Sequence, residues 1–243
     1  MKGIFGVQLF NLDEVDSTNN FAAKLISDQL CQNGAVIMSD YQTLGKGQRG
    51  NHWISNKREN IIMSVVYQPD NMSVSEQITL TWGTSLAIVE LLAEFGISAQ
   101  VKWPNDIYVN RKKIAGVLIE NQLIGQRVSF SIIGIGINVN QLEFSLTNAT
   151  SIALEKNKIQ IIEEVRNTLL AKMNDLIFKD FIFLKQKYES LLFLKDYESE
   201  FEDVQGVFKG KIKGVTDEGL LIILKENTLK NYGIKQLTFR TEP

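Results

Sequence analysis

Residues 43–55, TLGKGQRGNHWIS, carry glycines at 45, 47 and 50, with Lys46 and Arg49 between them and Trp53 toward the far end. Glycine lets a backbone turn sharply and approach a ligand closely, and the two basic residues add positive charge, so the stretch suits an anion. Gly45, Gly47 and Gly50 satisfy G-x-G-x-x-G, and whether that spacing is a dinucleotide fingerprint decides the fold. The fingerprint requires a helix directly after the glycines, its N-terminus facing a pyrophosphate. Here the glycines run into Asn51, His52 and Trp53, a polar turn over 56–60, and the strand-like IIMSVVY of 61–67. A phosphate loop, G-x-x-x-x-G-K-[ST], is also missing, because Lys46 is followed by Gly47. The Rossmann and phosphate-loop readings both fail, and the stretch reads as a charged, flexible flap.

Upstream, residues 5–12 alternate as a short strand. Asp16, Ser17 and Thr18 then cap a helix over 18–30, with Phe21, Ala22, Leu25, Ile26 and Leu30 on one face. On residue type alone, Ser17 and Thr18 are capping groups contributing about 1 kcal/mol. GAVIMSD at 34–40 is a buried strand that leads to Tyr41, Gln42 and the flap. Downstream, the strand of 61–67 ends before Pro69, and Ser75 opens an amphipathic helix stopped by Gly96, with Trp82 in its core face.

A second dense patch, SAQVKWPNDIYVNRKKIAGVLIEN, occupies 98–121. It reads as a strand ending at Lys102-Trp103, a turn at Pro104-Asn105-Asp106, a strand at 107–109, a tight connection at 110–112 and a return strand at 113–120. That hairpin can gather Lys102, Asn105, Asp106 and Lys113. The strand VSFSIIGIGINVN, 128–140, has Gly134 and Gly136 where missing side chains leave room for a ligand or for a packed helix, and Asn138 near its end. Residues 158–195 are helical, with a break around 179–183. Beyond Tyr197 come short strands and turns, Asp217-Glu218-Gly219 among them, so a boundary to a small all-β unit falls between Leu194 and Asp203.

The 243 residues are 44% hydrophobic and 22% charged, as in an ordinary globular protein, and long enough for one or two domains. The net charge of −2 provides no footprint for nucleic acid as a main partner. A single cysteine, Cys31, and a single histidine, His52, exclude an internal disulfide and argue against a zinc centre or a nucleophile–histidine triad. The start MKGIFGVQLF does not read as a secretory signal, and no apolar run approaches ~18 residues, so a cytoplasmic protein without a membrane partner is expected.

DSTN at 16–19, YQTLGKGQRGNHW at 41–53, KWPND at 102–106, KKIAGVLIE at 112–120, GIGINVN at 134–140 and the small β unit, in this order, resemble the biotin–protein ligases. Members of that family activate biotin with ATP and transfer it to a carrier lysine, and the resemblance covers nearly the whole chain. It implies an α+β protein. A mixed-sheet catalytic domain of the class II aminoacyl-tRNA synthetase type would span 1–198, and a small SH3-like barrel 199–243. The partner implied is the biotin carboxyl carrier domain of a carboxylase such as acetyl-CoA carboxylase, met by a monomer or homodimer. Some family members are repressors with an N-terminal DNA-binding domain. Here the catalytic pattern begins within the first dozen residues, so DNA is not an expected partner.

The chemistry asks for cations. A carboxylate becomes a good electrophile only as an acyl phosphate anhydride, so two anions must meet, screened by lysines and by the Mg2+ that accompanies ATP. By carry-over from the family, Lys113, Lys46 and Lys102 are the catalytic cations, with Lys113 on the biotin carboxylate. Ser17, Thr18 and Gln42 would satisfy the polar ureido ring, and Asn19, Lys46, Gly47, Gln48 and Gly116 would complete the biotin site. Arg49, Trp53, Lys102, Asn105 and Asn138 would hold ATP, Trp53 packing on adenine. Asp106 would either orient a lysine or help to hold magnesium. The sequence departs from the family at Gln48, where many bacterial members have arginine, which implies weaker retention of the biotinyl-adenylate. Lys46 and Asn51 also stand where arginines are common, and Lys235-Gln236 replaces a frequent Gly-Glu. Lipoate ligases share the fold and the two-step chemistry but match KWPND and the flap only loosely.

Overall fold

The computed structural model describes residues 3–145 and 148–240, with the backbone alone for Arg49. One mixed sheet is formed by β1 (Leu9–Leu12), β2 (Val36–Ser39), β3 (Ile61–Tyr67), β4 (Met72–Ser73), β5 (Gln100–Lys102), β6 (Asp106–Val109), β7 (Lys112–Ile124) and β8 (Arg127–Ile137). Its order is β1-β2-β3-β8-β7-β6-β5, with β4 also paired to β8. Only β1 and β2 run parallel; the other pairs are antiparallel.

β3 explains the layering. Its residues are buried on both faces from Ile61 to Val66, as expected of a central strand. Ile61, Met63 and Val65 join the main core under α2 (Ile78–Glu94), while Val66 joins a smaller cluster under α1 (Thr18–Ser27). Period-2 alternation therefore separates a structural face from a face that carries α1 and the polar cleft. α2 is apolar nearly all round because it lies between the sheet and the helices α4 (Ile162–Leu176) and α5 (Phe181–Ser190). Trp82 is buried there against Phe181 and Tyr188. Among the described residues, no helix is long and apolar enough to cross a membrane.

Several boundaries differ from the sequence reading. The first strand begins only at Leu9, because Gly6 turns at φ 93° and Phe5 packs into the core. α1 stops at Ser27, with Gln29 left-handed at φ 57° and Leu30 exposed. The cap before α2 is Ser73, not Ser75. It exchanges a capping box with Glu76 and opens a 3-10 turn over Val74–Gln77. β7 and β8 form a longer hairpin than expected, turning at Gly125, and α3 (Ile152–Lys156) was not legible.

The C-terminal strands β9 (Glu198–Asp203), β10 (Gly206–Val215), β11 (Leu221–Lys225), β12 (Thr228–Tyr232) and β13 (Thr238–Phe239) pair in the order β12-β11-β10-β9-β13. The described pairings leave β12 and β13 as edges, so this is an open antiparallel sheet where a closed barrel was expected. Its apolar residues, Phe201, Ile212, Leu221 and Leu237 among them, belong to the same continuous core as β3 and α2. Two polar ties fix the contact: Trp103 Nε1–H donates to Gly219 O at 2.9 Å, and Val215 N–H donates to Glu189 Oε1 at 2.9 Å.

Candidate active site

The start of α1, the flap and the exposed face of β7 and β8 enclose a cleft of about 480 Å3. One end is polar and buried. Ser17 occupies the N-cap position in an extended conformation, but its side chain makes no capping hydrogen bond, contrary to the capping reading. It lines the cleft instead. Thr18 gives both its backbone N–H (2.7 Å) and its hydroxyl (3.0 Å) to Gln42 Oε1, which leaves the Gln42 amide nitrogen for the cleft side. The Ser64 hydroxyl lies 2.7 Å from Thr18 Oγ1 and 2.6 Å from Asn19 Oδ1, so Thr18 and Asn19 are held from the strand beneath them.

The opposite end is cationic. Strict alternation along β7 would place Lys113 on the α2 face with Ala115 and Val117, which are core residues. A bulge intervenes, with Tyr108 opposite Lys113 but Ile107 opposite Ala115, and turns Lys113 to the cleft. The Lys113 backbone is further pinned to Asn148 O and to Thr150 N–H. Its ammonium pairs with Asp106 Oδ1 at 2.7 Å. Asp106 thus faces Lys113 across the β6–β7 pair. Gly116 leaves room beside the pair: a Cβ there would sit 3.2 Å from Asp106 Oδ1 and 3.3 Å from Lys113 Cε, and one of the two side chains would have to give by a few tenths of an ångström. Asn105 is buried, donates to Val117 O and lines the same cleft.

Lys102 stands farther out. Its Nζ donates to Tyr108 Oη at 3.2 Å and lies 4.9 Å and 5.2 Å from the ring centres of Tyr108 and Phe239. Burial, with the nearby Asp106 carboxylate, pushes the Tyr108 hydroxyl up to about 12, so it stays neutral beside the ammonium. Lys102 therefore opens on an outer groove, shared with Asn105 and Asp106 and walled by Leu237, Thr238 and Phe239 of the C-terminal sheet. Asn138 lies elsewhere. It donates to Thr150 O at 2.9 Å and lines a third hollow with His52, Trp53 and Phe144.

Trp53 and Lys113 border all three spaces. The indole lies on Gly136, where a Cβ would come within 2.4 Å of the ring, and Lys113 Nζ is 5.6 Å from its centre. Gly134 makes the corresponding room for Asn19. The two glycines, read as a bare floor, are thus already covered by site side chains. Trp53 Nε1 is buried with no hydrogen-bond partner.

The flap is a short hairpin. Gly47 N–H donates to Asn51 O (2.7 Å), Trp53 N–H donates to Gly45 O (3.0 Å), and Gly50 turns at φ 80°. A side chain at Gly45 would strike Trp53 O at 2.3 Å. Gln48 borders both the cleft and the outer groove. The side chain of Arg49, read as a nucleotide contact, lies outside the described residues. Lys46 lines the cleft but directs its ammonium to Asn20 and Glu120 rather than to the Lys113 end.

A family model described as the biotin/lipoate A/B protein ligase family matches residues 12–138, which hold the flap, KWPND, Lys113 and Asn138. The chain belongs to that family. Within the biotin/lipoate ligase family, the bifunctional ligase/repressor BirA of Bacillus subtilis is 31% identical over 245 residues, covering 96% of this chain and 73% of the relative. A biotin--[acetyl-CoA-carboxylase] ligase of Mycobacterium tuberculosis is 31% identical over 137 residues, 54% of this chain and 50% of its own length. Among solved structures, the biotin protein ligase of Aquifex aeolicus in complex with biotin and ATP superposes with a TM-score of 0.78 at 29% identity, covering 96% of this chain and 99% of that one. The mixed α+β architecture is thus that of the ligase family. Sequence reasoning missed Ser64, Asn20, Glu120 and Phe239 as members of this site. Their partners lie 26 to 101 residues away for the first three, beyond any local spacing rule.

Proposed function

We propose that the protein is an ATP-dependent biotin–protein ligase that forms biotinyl-AMP and transfers biotin to a specific lysine of a carboxylase's carrier domain. The observation that carries this reading is one cleft with a polar end at Ser17, Thr18 and Gln42, where the Gln42 amide nitrogen is left for a ligand, and an oriented ammonium, Lys113, at the other. A ureido ring needs the first, because an apolar slot would leave its polar atoms unpaired; the valerate carboxylate needs the second. In the first step a biotin carboxylate oxygen bonds to the α-phosphorus of ATP and pyrophosphate leaves. Lys113 then holds the anhydride oxygen, with Lys102 along the outer groove as the second cation. In the next step the deprotonated carrier amine bonds to the acyl carbon and AMP leaves. Gly47 and Gln48 of the flap cover the intermediate and exclude water.

ATP would lie along the outer groove past Asn105, its adenine against Trp53, with Asn138 behind that ring. The unpaired indole N–H supports this placement, since a nucleotide acceptor would satisfy it. Among the described residues no cluster of three or more metal-binding side chains occurs, and Asp106 is the single carboxylate along the cleft and groove. Mg2+ would therefore be held mainly by the phosphates, as that ion commonly is. We read residues 1–198 as the catalytic domain and 199–243 as a small C-terminal unit, an open five-stranded relative of the SH3-like type. The partner is a carrier domain; a net charge of −2 provides no footprint for DNA.

The test is to mix the chain with Mg2+, α-labelled ATP and either biotin or lipoate. Labelled acyl-adenylate should appear with biotin alone and be discharged by a carrier domain whose lysine is intact. Lys113→Gln should lower adenylate formation at least about tenfold, the effect of losing one charge-assisted hydrogen bond. Adenylate with lipoate instead would transfer the assignment to the lipoate branch.

A further inference from the structure

Lys46 is the flap cation, and its partners lie on α1 and β7, in a neighbouring hollow beside the cleft. Its Nζ donates to Asn20 Oδ1 at 2.5 Å and sits 3.7 Å from Glu120 Oε1. Asn20, on α1, is itself fixed by donating to Asp16 Oδ2 at 2.6 Å, a bond that holds the Asp16 carboxyl below the usual range. Glu120, on β7, divides its two oxygens. Oε2 accepts from Asn19 Nδ2 at 2.6 Å, and Oε1 faces the flap ammonium. Asn19 Oδ1 in turn lies beside the Ser64 hydroxyl that also meets Thr18. A continuous polar path therefore runs from the flap through one carboxylate to the buried polar end of the cleft.

We propose that Glu120 is a positioning residue of the ligase, a latch that holds the flap over the cleft through Lys46 and so keeps the acyl-adenylate from bulk water. It acts through Lys46 and contacts neither reactant. The inference rests on reading the cleft as the adenylate-forming site. Flap, α1 and β7 share no covalent neighbour in this region, and the Lys46 ammonium is where all three meet. The pair is open to solvent, with side chains 42% and 43% exposed, so the latch is a modest one.

Glu120→Gln is nearly isosteric and keeps an acceptor for Asn19 while removing the charge that faces Lys46. In the full chain, two rates are read: loss of preformed labelled biotinyl-adenylate, and tryptic cleavage after Arg49 without ligand. Both should rise about two- to five-fold, the scale of an exposed ion pair. In a Lys46→Met background the same change should add nothing to either rate, since residues acting through one contact are non-additive. Raised salt should speed adenylate loss in the unaltered chain and not in Glu120→Gln. Unchanged rates overturn the latch. Equal increases with and without Lys46 overturn it too, because Glu120 would then act through Asn19 alone. If the unaltered chain makes no adenylate, the ligase reading falls, and the cleavage rates still decide the latch.

Discussion

Gly136 shows how much a site residue can depend on an absent side chain. Its Cβ would fall within 2.4–2.8 Å of three atoms of the Trp53 indole, so the ring must move if one is added. Gly136→Ala should lower stability by about 1–3 kcal/mol, as overpacking does, and weaken ATP binding measured by calorimetry. ATP binding at the unaltered affinity would show that Trp53 yields without consequence and is not the adenine platform. Gln48 is the other informative residue. It offers hydrogen bonds without charge, and it borders both cleft and outer groove. Gln48→Arg should slow biotinyl-adenylate dissociation roughly tenfold, the value of a charge-assisted hydrogen bond over no charge. An unchanged rate removes Gln48 as a determinant of retention.

At the scale of elements, β6 carries an alkaline prediction. The Tyr108 hydroxyl is raised from its ordinary value of 10.0 to about 12, first by burial and then by Asp106. The neutral form is the one the fold favours, so this contribution is complete below about pH 10 and is lost as pH rises toward about 12. Denaturant midpoints of Tyr108→Phe should therefore fall less steeply across that window than those of the unaltered chain. Equal slopes would mean that Tyr108 does not govern alkaline stability. Elements with local signals were legible: α2 from its apolar run and Gly96, the Pro104-Asn105-Asp106 turn from its composition, the flap from its glycines. The orientation of Lys113 was not, because it depends on a bulge between two strands, and alternation alone points that side chain into the core. The capping role of Ser17 failed for a related reason. Its place at the head of a helix was visible, but not the competition of a polar cleft for its hydroxyl.

For the whole molecule, the continuity of one core is the main energetic fact. Phe201 is fully buried in the C-terminal sheet, packs on Phe208 and Phe239, and belongs to the cluster that runs through α2 and β3. Phe201→Ala should cost about 3–5 kcal/mol and lower a single unfolding transition seen alike by tryptophan fluorescence and circular dichroism. Two transitions, only one of them shifted, would show that the small sheet unfolds by itself. Its short strands and turns were legible in the sequence, whereas its open edges and its docking were not. That docking depends on Trp103, a motif residue whose neighbours Lys102 and Asn105 line the outer groove while its own indole reaches the turn at Gly219.

The register of β3 on β8 makes the chain unequal in its tolerance of length change. Ile62 lies opposite Gly136 and Ser64 opposite Gly134, so each faces across the ladder a residue without a side chain, where Trp53 and Asn19 take the room. One extra residue in β3 would present Met63 or Val65 where Ser64 now meets Thr18 and Asn19, exchanging a hydroxyl for an alkyl group beneath the cleft. At the β7–β8 turn the opposite holds. Gly125 has open space around it, and residues added there would lengthen a solvent-facing tip without disturbing any pairing below. Homologous chains of different length should thus vary at that tip, while the interval from Ile61 to Tyr67 stays constant to the residue.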